Sequence, residues 1–305
     1  MSSMRMPLEM GFGVLNIAHR GARAFAPENT LAAFMKANTL GCQMFEIDVR
    51  MSKDRQLIVH HDEQLSRCTD VQIKFPGRAN YDLWNFTNDQ LSTLDAGAWY
   101  IEQLSLPRLE RQPFLQMLTE DELIEFVSPH DRDIYASGDI KLPTLKQTLE
   151  FAEGAGMMVN IELKTQPDMQ EALADAVVKL VEFMRMENKV LISSFNHELL
   201  IRVRQLSEAI ATGVLTGTKI KNINEYMQLL DADAYHPNCY GENHLNVIQK
   251  PNLEELTIAL ESGYSVNVWT CNDKEDIRRL IAYGVTGVIS DFPNRVKEVI
   301  DNNFS

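Results

Sequence analysis

The sequence lacks the features that define several large functional classes. Its four cysteines, Cys42, Cys68, Cys239 and Cys271, are scattered through 305 residues with no CxxC pair and no Cys/His cluster. That argues against a thiolate metal site and against a disulfide-stapled fold. Cys42 and Cys271 lie among apolar neighbours and read as buried thiols. No segment approaches the ~20 apolar residues of a membrane span. Residues 1–13 hold one Arg and no uninterrupted apolar core, so they do not read as a secretory signal, and a cytoplasmic location is expected. Positive charge is in deficit: 29 Lys and Arg face 43 Asp and Glu, a net −14, and no run of Lys and Arg forms a basic patch. A nucleic-acid partner is not expected, because a polyanion would be repelled. A small phosphorylated ligand meets only its pocket, where a divalent cation reverses the local field. No strand-like run leads at once into a complete glycine-rich dinucleotide fingerprint, so a nicotinamide or flavin site is unsupported.

Short apolar runs alternate with amphipathic stretches nearly end to end. The strand-like runs are 14–18, 44–49, 158–163, 190–193, 211–215, 232–235, 265–269 and 287–289. Helical periodicity falls in 30–40, 145–155, 169–186, 197–205, 224–230, 253–262, 274–283 and 295–300. Continuous rather than alternating apolar runs fit strands covered on both faces, as in a parallel sheet. Eight such strands alternating with eight helices predict a single α/β domain, a (β/α)8 TIM barrel over 1–305, rather than an open sheet or two domains. The rhythm breaks between His61 and Leu142. That stretch holds Pro76-Gly77, the aromatics Trp84, Phe86, Trp99 and Tyr100, and mixed charge from Glu102 to Asp139. It reads as an insertion subdomain, about 63–141, after the second strand and over the barrel mouth.

Polar residues gather at the C-terminal ends of the predicted strands, the face on which a barrel builds its active site. His19 follows the first strand. Glu46 and Asp48, two apart, point to one side of the second, and His61 follows the run 57–60. Glu162 and Lys164 repeat the spacing at the end of the run 158–163. Carboxylates inside apolar strands need a cation or strong donors, since burying them unpaired costs several kcal/mol. Glu46, Asp48 and Glu162 together suit one hard, oxygen-seeking ion, Mg2+ or Ca2+, better than zinc. The bland alternatives are salt bridges, Glu162 with Lys164 or Asp48 with Arg50. His19 and His61, on different strands, are placed to act as general acid and base. His60, His130, His197, His236 and His244 lack an equivalent setting, although His236 also ends a strand.

These residues stand in motifs. His19-Arg20-Gly21, Pro27-Glu28-Asn29-Thr30, Glu46-Ile47-Asp48, Val59-His60-His61-Asp62 and Ile161-Glu162-Leu163-Lys164 occur in the order of the glycerophosphodiester phosphodiesterases. Leu142-Pro143-Thr144-Leu145, Val268-Trp269-Thr270 and the run from Gly287 to Pro293 extend the match, so the chain resembles that family from about 14 to 297. The resemblance implies a TIM barrel that hydrolyses glycerophosphodiesters to glycerol 3-phosphate and an alcohol. It further implies a metal held by Glu46, Asp48 and Glu162, acid–base work by His19 and His61, and phosphate neutralisation by Arg20 and Lys164. Trp269 would line the wall beside the glycerol or leaving group, with barrel-top packing as the alternative. Glu28 and Asn29 would brace the site, with a helix cap as the alternative. Asp54-Arg55 and Arg67-Cys68-Thr69 depart from the family's usual Asp-Gly and Arg-Thr-Thr, and the insertion is longer after Tyr100. Two other functions fit less well: a related barrel phosphodiesterase acting on lysophospholipids, and a non-catalytic sensor of a phosphate ligand.

Overall fold

The computed structural model describes residues 13–240 and 253–303. Residues 1–12, within the stretch tested for a signal, and His244 lie outside the described residues. Nine strands form one sheet: β1 Leu15–Ala18, β2 Met44–Met51, β3 Leu57–Val59, β4 Met158–Leu163, β5 Val190–Ser194, β6 Ala211–Thr216, β7 Ala234–Pro237, β8 Ser265–Val268 and β9 Gly287–Ser290. Their order is β1-β9-β8-β7-β6-β5-β4-β2-β3, and β1 also pairs with β2. That last pairing closes eight parallel strands into a TIM barrel. The ninth strand, β3, is antiparallel and folds back on β2 outside the ring. It sets His61 beside the strand that carries Glu46 and Asp48.

All nine strands are buried along their length, which is why they read as continuous apolar runs. Alternate side chains of β2 go to different places. Phe45, Ile47 and Val49 join the core between strands and helices, whereas Met44 packs with Leu15, Ile17, Met158 and Ile289 inside the barrel. Glu46 and Asp48 share the inward face with Met44. Their depth is therefore set by strand register, in which Asp48 lies opposite Glu162 of β4.

The first βα connection is tightly built. Thr30 caps the helix Leu31–Thr39 by accepting from the Ala33 amide, so the cap is Thr30 and not Glu28 or Asn29. A Cβ on Gly21 would lie 2.7 Å from Ala33, and Gly21 also has φ +76°. Only glycine fits where the loop presses on that helix. Arg20 itself holds φ +53°, a left-handed conformation that a non-glycine residue adopts at a cost of ~1–3 kcal/mol.

The long segment after β3 is a series of helices of four to eight residues. Thr87, Thr119 and Ser128 each start one with a capping box. Its aromatics separate: Phe86 joins a small core with Leu65, Val71 and Leu83, while Trp99 and Tyr100 join the main core. Tyr100 Oη donates to the Ala24 carbonyl at 2.7 Å, Phe126 meets Phe25 at 4.9 Å, and Glu122 pairs with Arg295 at 2.6 Å. The segment thus packs on the first βα loop and on the C-terminal helix Pro293–Asn303. Among the described residues no helix is long and apolar enough to cross a membrane.

Candidate active site

Three inward carboxylates converge at the C-terminal end of the barrel. One oxygen from each of Glu46, Asp48 and Glu162 lies within 4.8 Å of the others, and all three residues are buried. Burial, with Asp48 and Glu162 alongside, pushes the Glu46 carboxyl well above its ordinary range. Burial acts on Asp48 in the same direction, but Lys164, His61, Arg20 and Asn29 outweigh it and hold that carboxyl well below its ordinary range. Glu46 Oε1 is buried and accepts no hydrogen bond from the protein, and buried Asp48 Oδ1 is met by the Lys164 ammonium as an ion pair. An all-oxygen donor set with unsatisfied buried lone pairs fits a hard divalent cation.

The flanking residues satisfy the other oxygens. The Arg20 amide donates to Glu46 Oε2 at 2.8 Å, a contact made by the left-handed turn at Arg20. Asn29 Nδ2 donates to Asp48 Oδ2 at 2.7 Å. Arg20 Nε lies 3.3 Å from the same oxygen. Lys164 Nζ lies 2.6 Å from Glu162 Oε1 and 3.1 Å from Asp48 Oδ1. Burial works against the charge on Lys164, but these two carboxylates raise its pKa, so it remains an ammonium. The Glu162–Lys164 salt bridge is therefore present, inside the site. Arg50 turns elsewhere: it donates to the carbonyls of His61 and Thr165 at 2.9 and 3.0 Å, tying the two loops together.

Each histidine is held by an aspartate. His19 Nδ1 is 2.7 Å from Asp291 Oδ1, and His19 Nε2 is 3.8 Å from Glu46 Oε2. His61 Nδ1 is 2.6 Å from Asp62 Oδ1. Burial would raise both aspartates, yet Arg23 and His19 hold Asp291, and His61 and Arg67 hold Asp62, well below the ordinary carboxylate range. An ionised carboxylate only accepts, so Nδ1 of each imidazole is the donor and Nε2 is left to the site. Burial, reinforced by Arg23, lowers His19 to about 4. Burial also lowers His61, against the pull of Asp48.

Trp269 follows β8 on the same inward side as Asn267. Its indole Nε1 donates to the His236 carbonyl at 2.8 Å, and its ring meets Phe195 edge-on at 5.3 Å. It is half-buried, and Phe195 is 46% exposed. His236 is fully buried in the barrel interior, 3.0 Å from Asn267 Nδ2, and burial lowers it to about 3. His60 and His197 are engaged away from the triad, with Gln64 and with Tyr226 and Leu215.

The structure thus brings together His19, Arg20, Glu28, Asn29, Glu46, Asp48, His61, Glu162 and Lys164, with Trp269 at the end of β8, the strand beside β9. The sequence alone gave no role to Asp291, Asp62, Arg23, Arg67 or Phe195, and it offered Arg50 only as a salt-bridge partner of Asp48. Asp291 directly follows β9 and Phe195 directly follows β5, the same strand-end signal that drew notice to His19.

Residues 19–295 match the model of the glycerophosphoryl diester phosphodiesterase family. The protein YqiK of Bacillus subtilis is 29% identical over 287 residues, covering 93% of this chain and 98% of that one. A glycerophosphodiester phosphodiesterase of Bacillus altitudinis is 28% identical, with 92% and 96% covered. Among solved structures, an Oleispira antarctica phosphodiesterase in complex with the product sn-glycerol-3-phosphate aligns with a TM-score of 0.71 and 26% identity, over 93% of this chain and 96% of that one. The chain therefore belongs to the glycerophosphoryl diester phosphodiesterase family of phosphoric diester hydrolases.

Proposed function

We propose that the barrel mouth hydrolyses glycerophosphodiesters to glycerol 3-phosphate and an alcohol, with one Mg2+ or Ca2+ and with His19 and His61 as the proton-transfer pair. The observation that carries this reading is the convergence of three buried carboxylates with two histidines, each fixed by its own aspartate. Glu46, Asp48 and Glu162 would hold the cation. When bound, it supplies Lewis-acid stabilisation of the charge that builds on a phosphoryl oxygen. Arg20 and Lys164 add fixed positive charge beside the same oxygens. Nε2 of one histidine takes the proton of the attacking oxygen, and Nε2 of the other protonates the departing alkoxide. Asn29 steadies Asp48 for its role as ligand. Trp269 and Phe195 form an uncharged wall against which the alcohol portion rests. A quaternary ammonium there gains ~0.5–1 kcal/mol from the ring faces.

The test is release of glycerol 3-phosphate and alcohol from glycerophosphocholine and glycerophosphoethanolamine, with EDTA and then with added Mg2+ or Ca2+. Loss on chelation and recovery with metal is expected. No turnover of either substrate with any metal would remove this reading, and turnover of a long-chain lysolipid alone would replace it.

A further inference from the structure

Glu28 is 4% exposed, and its two oxygens meet three guanidinium groups. Arg20 Nη1 lies 2.9 Å from Oε1 and Arg67 Nη2 lies 2.5 Å from the same oxygen. Arg67 Nη1 and Arg23 Nη1 lie 3.2 and 3.3 Å from Oε2. Each arginine leads to a different part of the site. Arg23 continues to Asp291, through Nε to Oδ1 and at 3.1 Å through Nη2 to Oδ2, and Asp291 holds His19. Arg67 continues to Asp62, at 2.5 Å through Nε and 3.1 Å through Nη2, and Asp62 holds His61. Arg20 continues to Asp48 at 3.3 Å. An unbroken line of alternating charge thus runs from His19 through Glu28 to His61.

We infer that Glu28 is a positioning residue for both histidines at once, acting through Arg23 on His19 and through Arg67 on His61. The inference rests on the His19/His61 reading above. Its physical basis is mutual repulsion. Three guanidiniums crowd one buried carboxylate, and without that anion they separate, Arg23 and Arg67 each drawing its aspartate away from its imidazole. A second consequence is that the arms are separable, because only one histidine serves as the acid. A general acid matters for an alkoxide leaving group and little for p-nitrophenolate, which departs unprotonated.

The experiment compares Glu28→Gln, Arg23→Lys and Arg67→Lys on glycerophosphocholine and on the p-nitrophenyl ester of glycerol 3-phosphate, in metal-loaded enzyme. Each arginine variant is expected to lower kcat on glycerophosphocholine about tenfold, with KM held within roughly threefold. On the aryl ester one of the two defects disappears and the other persists. Glu28→Gln combines them, losing on the order of 10²-fold on the choline substrate and recovering only in part on the aryl ester. Proton NMR gives a readout apart from rate. Downfield Nδ1–H signals of His19 and His61, assigned with the His→Gln variants, both move in Glu28→Gln, whereas each arginine variant moves one. If Glu28→Gln does not fold, the two arginine variants still decide the matter. Identical recovery of both on the aryl ester, or unchanged kcat and unmoved proton signals in Glu28→Gln, overturns the inference. Loss of activity in His19→Ala and His61→Ala beside a normal Glu28→Gln removes this inference alone. Normal turnover in the two alanine variants removes the catalytic reading and this inference with it.

Discussion

The two arcs of the barrel mouth differ in charge. On adjacent strands β9, β1, β2 and β4 the strand ends carry Asp291, His19, Glu46, Asp48, Glu162 and Lys164. The facing arc, β5 to β8, presents Ser193, Phe195, Gly213, His236, Asn267 and Trp269. None of these described residues is charged, since burial keeps His236 neutral above about pH 3. Closed parallel strands put both arcs around one opening, so the division lies in residue choice and not in topology. Buried charges can be kept ionised only beside counter-charges, and so they cluster. Neutral groups need shape and hydrogen bonds alone. On the proposed reading, one arc carries out the chemistry and the other fits the alcohol.

Four substitutions sharpen that contrast, in falling order of effect. In the charged arc, His19→Ala and His61→Ala are each expected to lower kcat by about 10²–10⁴, or ~3–5 kcal/mol, on every phosphodiester with an alkoxide leaving group. Steady-state kinetics with several leaving groups checks this, and a loss confined to one substrate would blur the two arcs. In the neutral arc, Gly213→Ala places a Cβ 2.8 Å from His236 Cε1, with the neighbouring ring nitrogen at 2.9 Å. A destabilisation of ~1–3 kcal/mol is expected, with kcat of the folded fraction little changed. Chemical denaturation measures it, and unchanged stability would mean that the ring moves freely. Smallest of all, Phe195→Leu should change the ratio of kcat/KM for glycerophosphocholine over glycerophosphoglycerol by about fivefold, the equivalent of ~1 kcal/mol of cation–π contact. Equal losses on both substrates would assign Phe195 to packing.

The placement of the strand-end polar residues was legible in sequence because it depends only on local alternation. Glu46 and Asp48 share a face by two-residue periodicity, and an apolar strand marks them as buried. The barrel itself was legible from the repeated alternation of runs, with the strand expected at 232–235 lying at Ala234–Pro237 and the helix expected at 295–300 beginning at Pro293. What escaped was pairing across distance. His19 and Asp291 are 272 residues apart, and nothing near either names the other. Glu28 and Arg67 meet only because the segment after β3 folds onto the first βα loop. The helices of that segment run to only four to eight residues, too short to show a period, although their Thr and Ser caps are ordinary start signals. The three-residue strand β3 is likewise too short to read as a hairpin partner.

The most direct test of the division sets His61→Ala against Trp269→Ala on the same three substrates, glycerophosphocholine, glycerophosphoethanolamine and glycerophosphoglycerol, in the presence of saturating metal. His61→Ala is expected to scale kcat down by a common factor and leave the order of the substrates intact. Trp269→Ala is expected to keep kcat within about tenfold and to reorder them, as loss of a contact worth ~1 kcal/mol would. A Trp269→Ala enzyme that loses kcat uniformly, as far as His61→Ala does, would contradict the separation of chemistry from recognition.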